Sequence, residues 1–136
     1  MKVQVKAGFP GPEEYAQLYQ STGWDPEGRW DAECLQQALR GSWHVAVIYR
    51  DGKLAASGRI VSDGVIQCLI CDVIVLPEYR NQGLGTAMME HLLQHCRHSG
   101  IRWVQLSAAA GKAGFYEQFG FVRRPEGAPG MSLYLS

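Results

Sequence analysis

The stretch Val75-Leu76-Pro77-Glu78-Tyr79-Arg80-Asn81-Gln82-Gly83-Leu84-Gly85-Thr86 joins the most apolar run of the chain to a helical one, and its reading decides the fold. Upstream, Val65 to Leu76 is interrupted only by Gln67 and Asp72, as expected for a central strand covered on both faces. Downstream, Gly83 to His98 places Leu84, Met88, Leu92 and Cys96 on one stripe and predicts a helix closed by Gly100. A strand that feeds a basic, glycine-containing loop at the start of a helix is an anion cradle. The first helical amides lack intrahelical acceptors, the helix dipole favours negative charge there, and glycine lets a phosphate approach the main chain. Arg80 adds a fixed positive charge. A lone Gly-x-Gly fits a tight turn equally well, so the surrounding sequence has to choose. A P-loop is excluded because no Gly-Lys-Ser/Thr follows, and Met88, three residues after Gly85, breaks the dinucleotide fingerprint.

Working outward, the same fold class emerges on both sides. Residues 2 to 6 alternate with period two and predict an edge strand, followed by a Gly-Phe-Pro-Gly-Pro turn. Helices are expected from Pro12 to about Gln20 and from Asp31, as N-cap, to about Arg40. Trp43 to Tyr49 and Lys53 to Val61 flank Asp51-Gly52, a hairpin signal, and Ser62-Asp63-Gly64 turns the chain into the central strand. Ile101 to Leu106 reads as a further strand and Lys112 to Phe119 as a short helix. Phe121 to Arg123 and Met131 to Leu135 read as closing strands around a Pro/Gly loop. The order β, α, α, three strands, α, β, α and closing strands predicts an α/β or α+β sandwich with a mixed sheet.

With 136 residues, 46% of them apolar, the chain has the size and composition of one globular domain spanning 1–136. Thirteen basic residues balance thirteen acidic ones, so no global field favours nucleic acid or a membrane surface, and a charged ligand must be held locally. No run has the length of a membrane span or of a signal-peptide core, which points to the cytoplasm. Cys34, Cys68, Cys71 and Cys96 read as free thiols.

Taken together, Val-x-Pro-x-x-Arg-x-x-Gly-x-Gly from Val75 to Gly85 resembles the GNAT superfamily of acetyl-CoA-dependent N-acetyltransferases. A second block, Gly114-Phe115-Tyr116-Glu117-Gln118-Phe119-Gly120-Phe121, is similar to the family's Phe-Tyr-Glu-x-x-Gly-Phe segment. The resemblance is clearest over Val65 to Phe121. It implies the GNAT fold, a mixed and mostly antiparallel sheet flanked by about four helices. It implies that the backbone of Val73, Ile74 and Val75 pairs with the pantetheine arm, and that an amide near Val75 polarises the thioester carbonyl. It further implies that Arg80, Asn81, Gln82, Gly83, Leu84, Gly85 and Thr86 hold the CoA pyrophosphate. Tyr116 stands where family members place the acid that protonates the departing thiolate; taken by itself, a tyrosine beside two phenylalanines fits core packing.

Three positions depart from the family pattern. Ala109 stands where many members carry an asparagine that touches the cofactor, and Leu69 and Cys71 align with the family's better-known general bases. Asp72 is the only acid within the central strand. It is the candidate base, with ordered water and main-chain carbonyls as the alternative; strand alternation turns it away from Leu69 and Cys71 unless a bulge intervenes, and a structural role bonding a loop amide fits equally well. Other constellations carry less. Cys68 and Cys71 fall on opposite strand faces with no second ligand pair, so no metal is expected. His91, His95 and His98 read as a solvated helix face, and the dispersed arginines give nucleic acid no footing. Tyr15, Tyr19, Trp24, Asp25 and Trp30 gather where GNAT folds cap the acceptor groove, as core packing or as a site for an amine with an apolar body. The expected activity is acetyl transfer to a primary amine of a small molecule by direct attack in a ternary complex. The alternative is an inactive acyl-CoA-binding sensor or interaction module. The closing strands offer a surface through which a second copy could form a homodimer.

Overall fold

The computed structural model describes residues 3–135. The chain divides into two compact units, Met1–Gln105 and Leu106–Ser136.

The first unit contains β1 (Lys6–Ala7), α1 (Pro12–Gln20), α2 (Ala32–Arg40), β2 (His44–Arg50), β3 (Lys53–Ser62), β4 (Gln67–Val75), α3 (Leu84–His98) and β5 (Trp103–Gln105). The five strands form one sheet in the order β1-β2-β3-β4-β5, antiparallel except for the β4–β5 pair. Local chemistry explains several boundaries. Pro12 opens α1 where a missing amide costs nothing. Asp31 caps α2 by accepting from the Cys34 amide at 2.8 Å. Asp51 and Gly52 both adopt positive φ, 54° and 75°, as a two-residue hairpin of matching twist requires.

Each face of the sheet buries one helical layer. On one side Tyr15, Leu18, Leu35 and Leu39 of α1 and α2 pack against Val45, Val47, Leu54 and Ile74. On the other, α3 buries Met88, Met89, Leu92 and Cys96, none more than 1% exposed, against β2, β3 and β4. Cys68 and Cys96 meet there with sulfurs 3.4 Å apart, and burial pushes the Cys68 thiol up to about 12. All four cysteines are free.

Several expected boundaries move. The first strand is confined to Lys6–Ala7, and Lys2 lies outside the described residues. The central strand begins at Gln67 because Asp63 Oδ1 accepts the amides of Val65 and Ile66 at 2.6 and 2.7 Å, folding both into the preceding turn. β3, not β4, is the middle strand, and β4 is covered on one face more than the other, with Leu69 43% exposed. In the second unit α4 spans Ala113–Glu117. The expected closing strands do not form among the described residues: Phe121–Arg123 and Met131–Leu135 pair with no strand, and Met131 and Leu133 are exposed.

The histidines also differ from expectation. Only His98 is solvated; His91 and His95 pack on His44 of β2, with His44 and His91 Nε2 atoms 3.0 Å apart and the His44 and His95 rings stacked at 3.7 Å beside Trp43. Burial, and then His95 and His91, lower the His44 pKa to about 4, and burial lowers that of His91. The unfolded chain therefore binds protons near the ordinary histidine value while the folded protein resists them. Stability from this cluster is complete above that value and is lost as pH falls towards 4. The midpoint of thermal unfolding should drop between pH 7 and pH 4.5, and by less in His44→Gln; equal drops would remove the cluster as the cause.

Candidate functional site

β4 is irregular where the sequence places its only acid. Pairing runs from Arg59–Cys71 to Ser57–Ile74, so Asp72 and Val73 lie opposite the single residue Gly58. This is a β-bulge, with Asp72 at φ 52°. The bulge defeats simple alternation. Asp72 reaches the same side as Arg59, whose Nε donates to Asp72 Oδ2 at 2.9 Å and whose Nη1 donates to Ser42 Oγ at 3.2 Å.

Arg59 and Asp72 are the charged residues lining a cavity of about 560 Å³ beside α1 and α2, with Tyr15, Tyr19, Trp30, Cys34 and Leu35 among its walls. Burial, then the neighbouring Asp72 carboxylate, raises the Tyr15 phenol, keeping it protonated. Trp30 and Trp24 are 45% and 43% exposed, so helix packing does not consume them. Trp24 stands edge-on to Tyr19 with ring centroids 5.9 Å apart. Asp25, grouped with these aromatics in the sequence, serves its own loop by accepting the Arg29 and Trp30 amides at 3.0 Å. The cavity's acid is Asp72. Arg59 escaped the sequence reading, although a single charge inside Leu54 to Val61 was the available signal.

Beyond β4, Pro77–Tyr79 makes one 3₁₀ turn. Asn81 and Gly83 then take positive φ, 63° and 82°, and Gly83 caps α3. Leu84 is buried and anchors the helix start, while Arg80 to Gly83 remain exposed. Three features suit this loop to an anionic group. The Gly83 carbonyl takes up the Ala87 amide at 3.0 Å, which leaves the amides before it without helical acceptors. No atom lies within 4 Å of where a Gly83 side chain would start. The Arg80 guanidinium has no ion-pair partner among the described residues, and the acid in the 3₁₀ turn, Glu78, is engaged by Lys53 at 2.8 Å. Asp72, Val73, Ile74 and Val75 and the loop Arg80 to Thr86 thus follow one another within the first unit.

Tyr116 belongs to the second unit, in α4. It makes edge contacts with Phe115 and Phe121 at ring distances of 5.1 and 6.3 Å. Burial raises its pKa, so the phenol holds its proton at neutral pH, and its hydroxyl has no hydrogen-bond partner among the described residues. No three His, Cys, Asp or Glu side chains among the described residues converge to hold a metal ion. None of the described helices is long and apolar enough to cross a membrane.

The GNAT acetyltransferase family model matches residues 12–121. A chloroplastic serotonin N-acetyltransferase from Oryza sativa is 36% identical over 85 residues, a match covering 62% of this chain but only 42% of that protein. An uncharacterised N-acetyltransferase of Pyropia yezoensis is 29% identical over 89% of this chain and 70% of its own. Among solved structures, a Staphylococcus aureus protein of unknown function described as a probable acetyltransferase superposes with a TM-score of 0.85 at 25% identity, covering 98% of this chain and all of that one. Glucosamine-6-phosphate N-acetyltransferase from Arabidopsis thaliana shares the fold, with a TM-score of 0.76 at 20% identity over the full length of both chains. With the family model matched over residues 12–121, and a mixed five-strand sheet and four helices among the described residues, this chain belongs to the GNAT family of acetyltransferases.

Proposed function

We propose that this acetyltransferase moves an acetyl group from acetyl-CoA to a primary amine of a small molecule, by direct attack in a ternary complex. The observation that carries this reading is the sequence of features along β4 and into α3. A cavity with one carboxylate lies beside a bulged strand, and the strand ends in an exposed, unneutralised cradle. Arg80, Asn81, Gln82, Gly83, Leu84, Gly85 and Thr86 would hold the pyrophosphate, and the backbone of Val73, Ile74 and Val75 the pantetheine arm. When bound, acetyl-CoA supplies the activated thioester. Tyr116 gives its proton to the leaving sulfur, a role suited to a phenol that is protonated and otherwise unbonded. Asp72 accepts the amine proton, directly or through an ordered water. The guanidinium of Arg59 already occupies Asp72 Oδ2 at 2.9 Å, which leaves less of the carboxylate to face the amine directly and suits the water route.

The acceptor on this reading has a flat apolar body. Two half-exposed tryptophans and Tyr19 suit the face of a ring or the cation of an amine, and one relative acts, by its name, on serotonin. Residues 1–136 would act as one catalytic domain. Four free thiols suit a reducing compartment such as the cytoplasm, while the rice relative is chloroplastic. Exposed Met131, Leu133 and Leu135 suit contact with a second copy and support a homodimer. A second reading, an acyl-CoA-binding module without turnover, draws on the ion pair that engages Asp72 with Arg59.

Thermal unfolding with acetyl-CoA, and with NAD and ATP at equal concentration, tests the binding step. At 100 times its dissociation constant, a ligand stabilises by about 2.7 kcal/mol, enough to raise the midpoint by several degrees. Acetyl-CoA should produce this shift and the controls should not. No shift with acetyl-CoA would remove both readings.

A further inference from the structure

The bulge in β4 holds a conformation that residues with side chains adopt uncommonly. Bulges whose first residue is left-handed normally place glycine there. Here the position is Asp72, at φ 52°, a region that L side chains adopt uncommonly and only when the surroundings fix them. A chain of hydrogen bonds holds Asp72 on one face of the sheet, while the other face is closely packed opposite the bulge. On one face a chain of hydrogen bonds crosses three elements: Ser42 Oγ donates to the Ala38 carbonyl of α2 at 2.8 Å, Arg59 Nη1 of β3 donates to Ser42 Oγ at 3.2 Å, and Arg59 Nε donates to Asp72 Oδ2 at 2.9 Å. On the other face, a side chain on Gly58, the residue opposite the bulge, would meet Leu92 Cδ1 at 3.0 Å and Met88 Cγ at 3.1 Å.

We infer that Arg59 is a positioning residue for the acyl-donor site: through Asp72 it keeps the bulge left-handed, and so keeps Val73 out of register with β3 and presented to the pantetheine arm. This rests on the proposed use of the Val73 to Val75 backbone. Arg59 touches neither reacting group. Its planar fork serves because it reaches Asp72 and Ser42 from different nitrogens, which one ammonium cannot reproduce. Without that anchor, Asp72 is free to return towards extended backbone, and the strand loses the offset on which donor binding depends.

Glycine provides the test, since it occupies the left-handed region without any side-chain anchor. Acetyl-CoA affinity is measured by titration calorimetry on wild type, Arg59→Lys, Arg59→Met, Asp72→Gly and the double variant Arg59→Met/Asp72→Gly, each first checked for cooperative unfolding. Arg59→Met should bind acetyl-CoA about tenfold more weakly, a loss of about 1.4 kcal/mol, with Arg59→Lys in between. The double variant should recover wild-type affinity. Its turnover should stay low, because glycine also removes the candidate base; affinity and turnover therefore separate. The inference is overturned if Arg59→Met binds acetyl-CoA as wild type does, or if glycine at position 72 fails to restore binding in that background. Failure of wild type itself to bind acetyl-CoA would instead overturn the proposed function, and this inference with it.

Discussion

Replacing Tyr116 by phenylalanine should lower turnover by two orders of magnitude or more and leave acetyl-CoA affinity unchanged. A positioned general acid contributes about 10²–10⁴-fold, and the substitution removes one hydroxyl while keeping the ring that meets Phe115 and Phe121. Because that hydroxyl has no partner among the described residues, its loss leaves no orphaned group, and the fold should be preserved. The measurement is thiol release with an accepted amine, beside calorimetric titration of acetyl-CoA. Equal turnover in wild type and variant would end the acid role of Tyr116. Acetyl-CoA binding by wild type without turnover on any amine would favour the binding-module reading.

The largest expected effect on stability is at Leu92, which is fully buried between α3 and the sheet. Leu92→Ala should cost about 2–5 kcal/mol and lower the unfolding midpoint by roughly ten degrees. The same leucine limits Gly58, where an added Cβ would sit 3.0 Å from Leu92 Cδ1. Gly58→Ala should therefore destabilise the wild type by about 1 kcal/mol or more through overpacking, and by less in the Leu92→Ala background. A double-mutant cycle reads this coupling directly. Strictly additive losses would mean that Leu92 is not the wall that limits Gly58, leaving Met88, whose Cγ is 3.1 Å from the same point.

Much of the fold was legible because its signals are local. Pro12 and Asp31 marked helix starts through the chemistry of their own backbone neighbourhoods, and Asp51-Gly52 marked a hairpin because few residues tolerate two successive positive φ values. The strand, loop and helix around Arg80 were readable for the same reason. What stayed hidden depends on partners distant in the chain. A bulge at Asp72 exists only relative to the register of β3, so alternation within β4 could raise the question and not answer it. Arg59 gained meaning only when Asp72 and Ser42 were brought to it. His91 and His95 sit at helical spacing on a polar stripe, and only β2 supplies the His44 ring that makes them a packed group. The end of the chain shows the reverse error: an alternating pattern at Met131 to Leu135 is compatible with a strand, but a strand also needs a ladder partner.

The sheet's boundary at β1 bears on how the molecule behaves in a crowded solution. An exposed edge presents unpaired amides and carbonyls that a foreign chain can extend, and the hazard grows with the length of flat edge on offer. Here the edge strand is two residues long, one of them the exposed Lys6. The chain then leaves through Gly8 and reaches Pro10, which has no amide to donate. Too few groups remain in line for another molecule to zip onto, so on this side brevity protects the protein from fibrillar stacking.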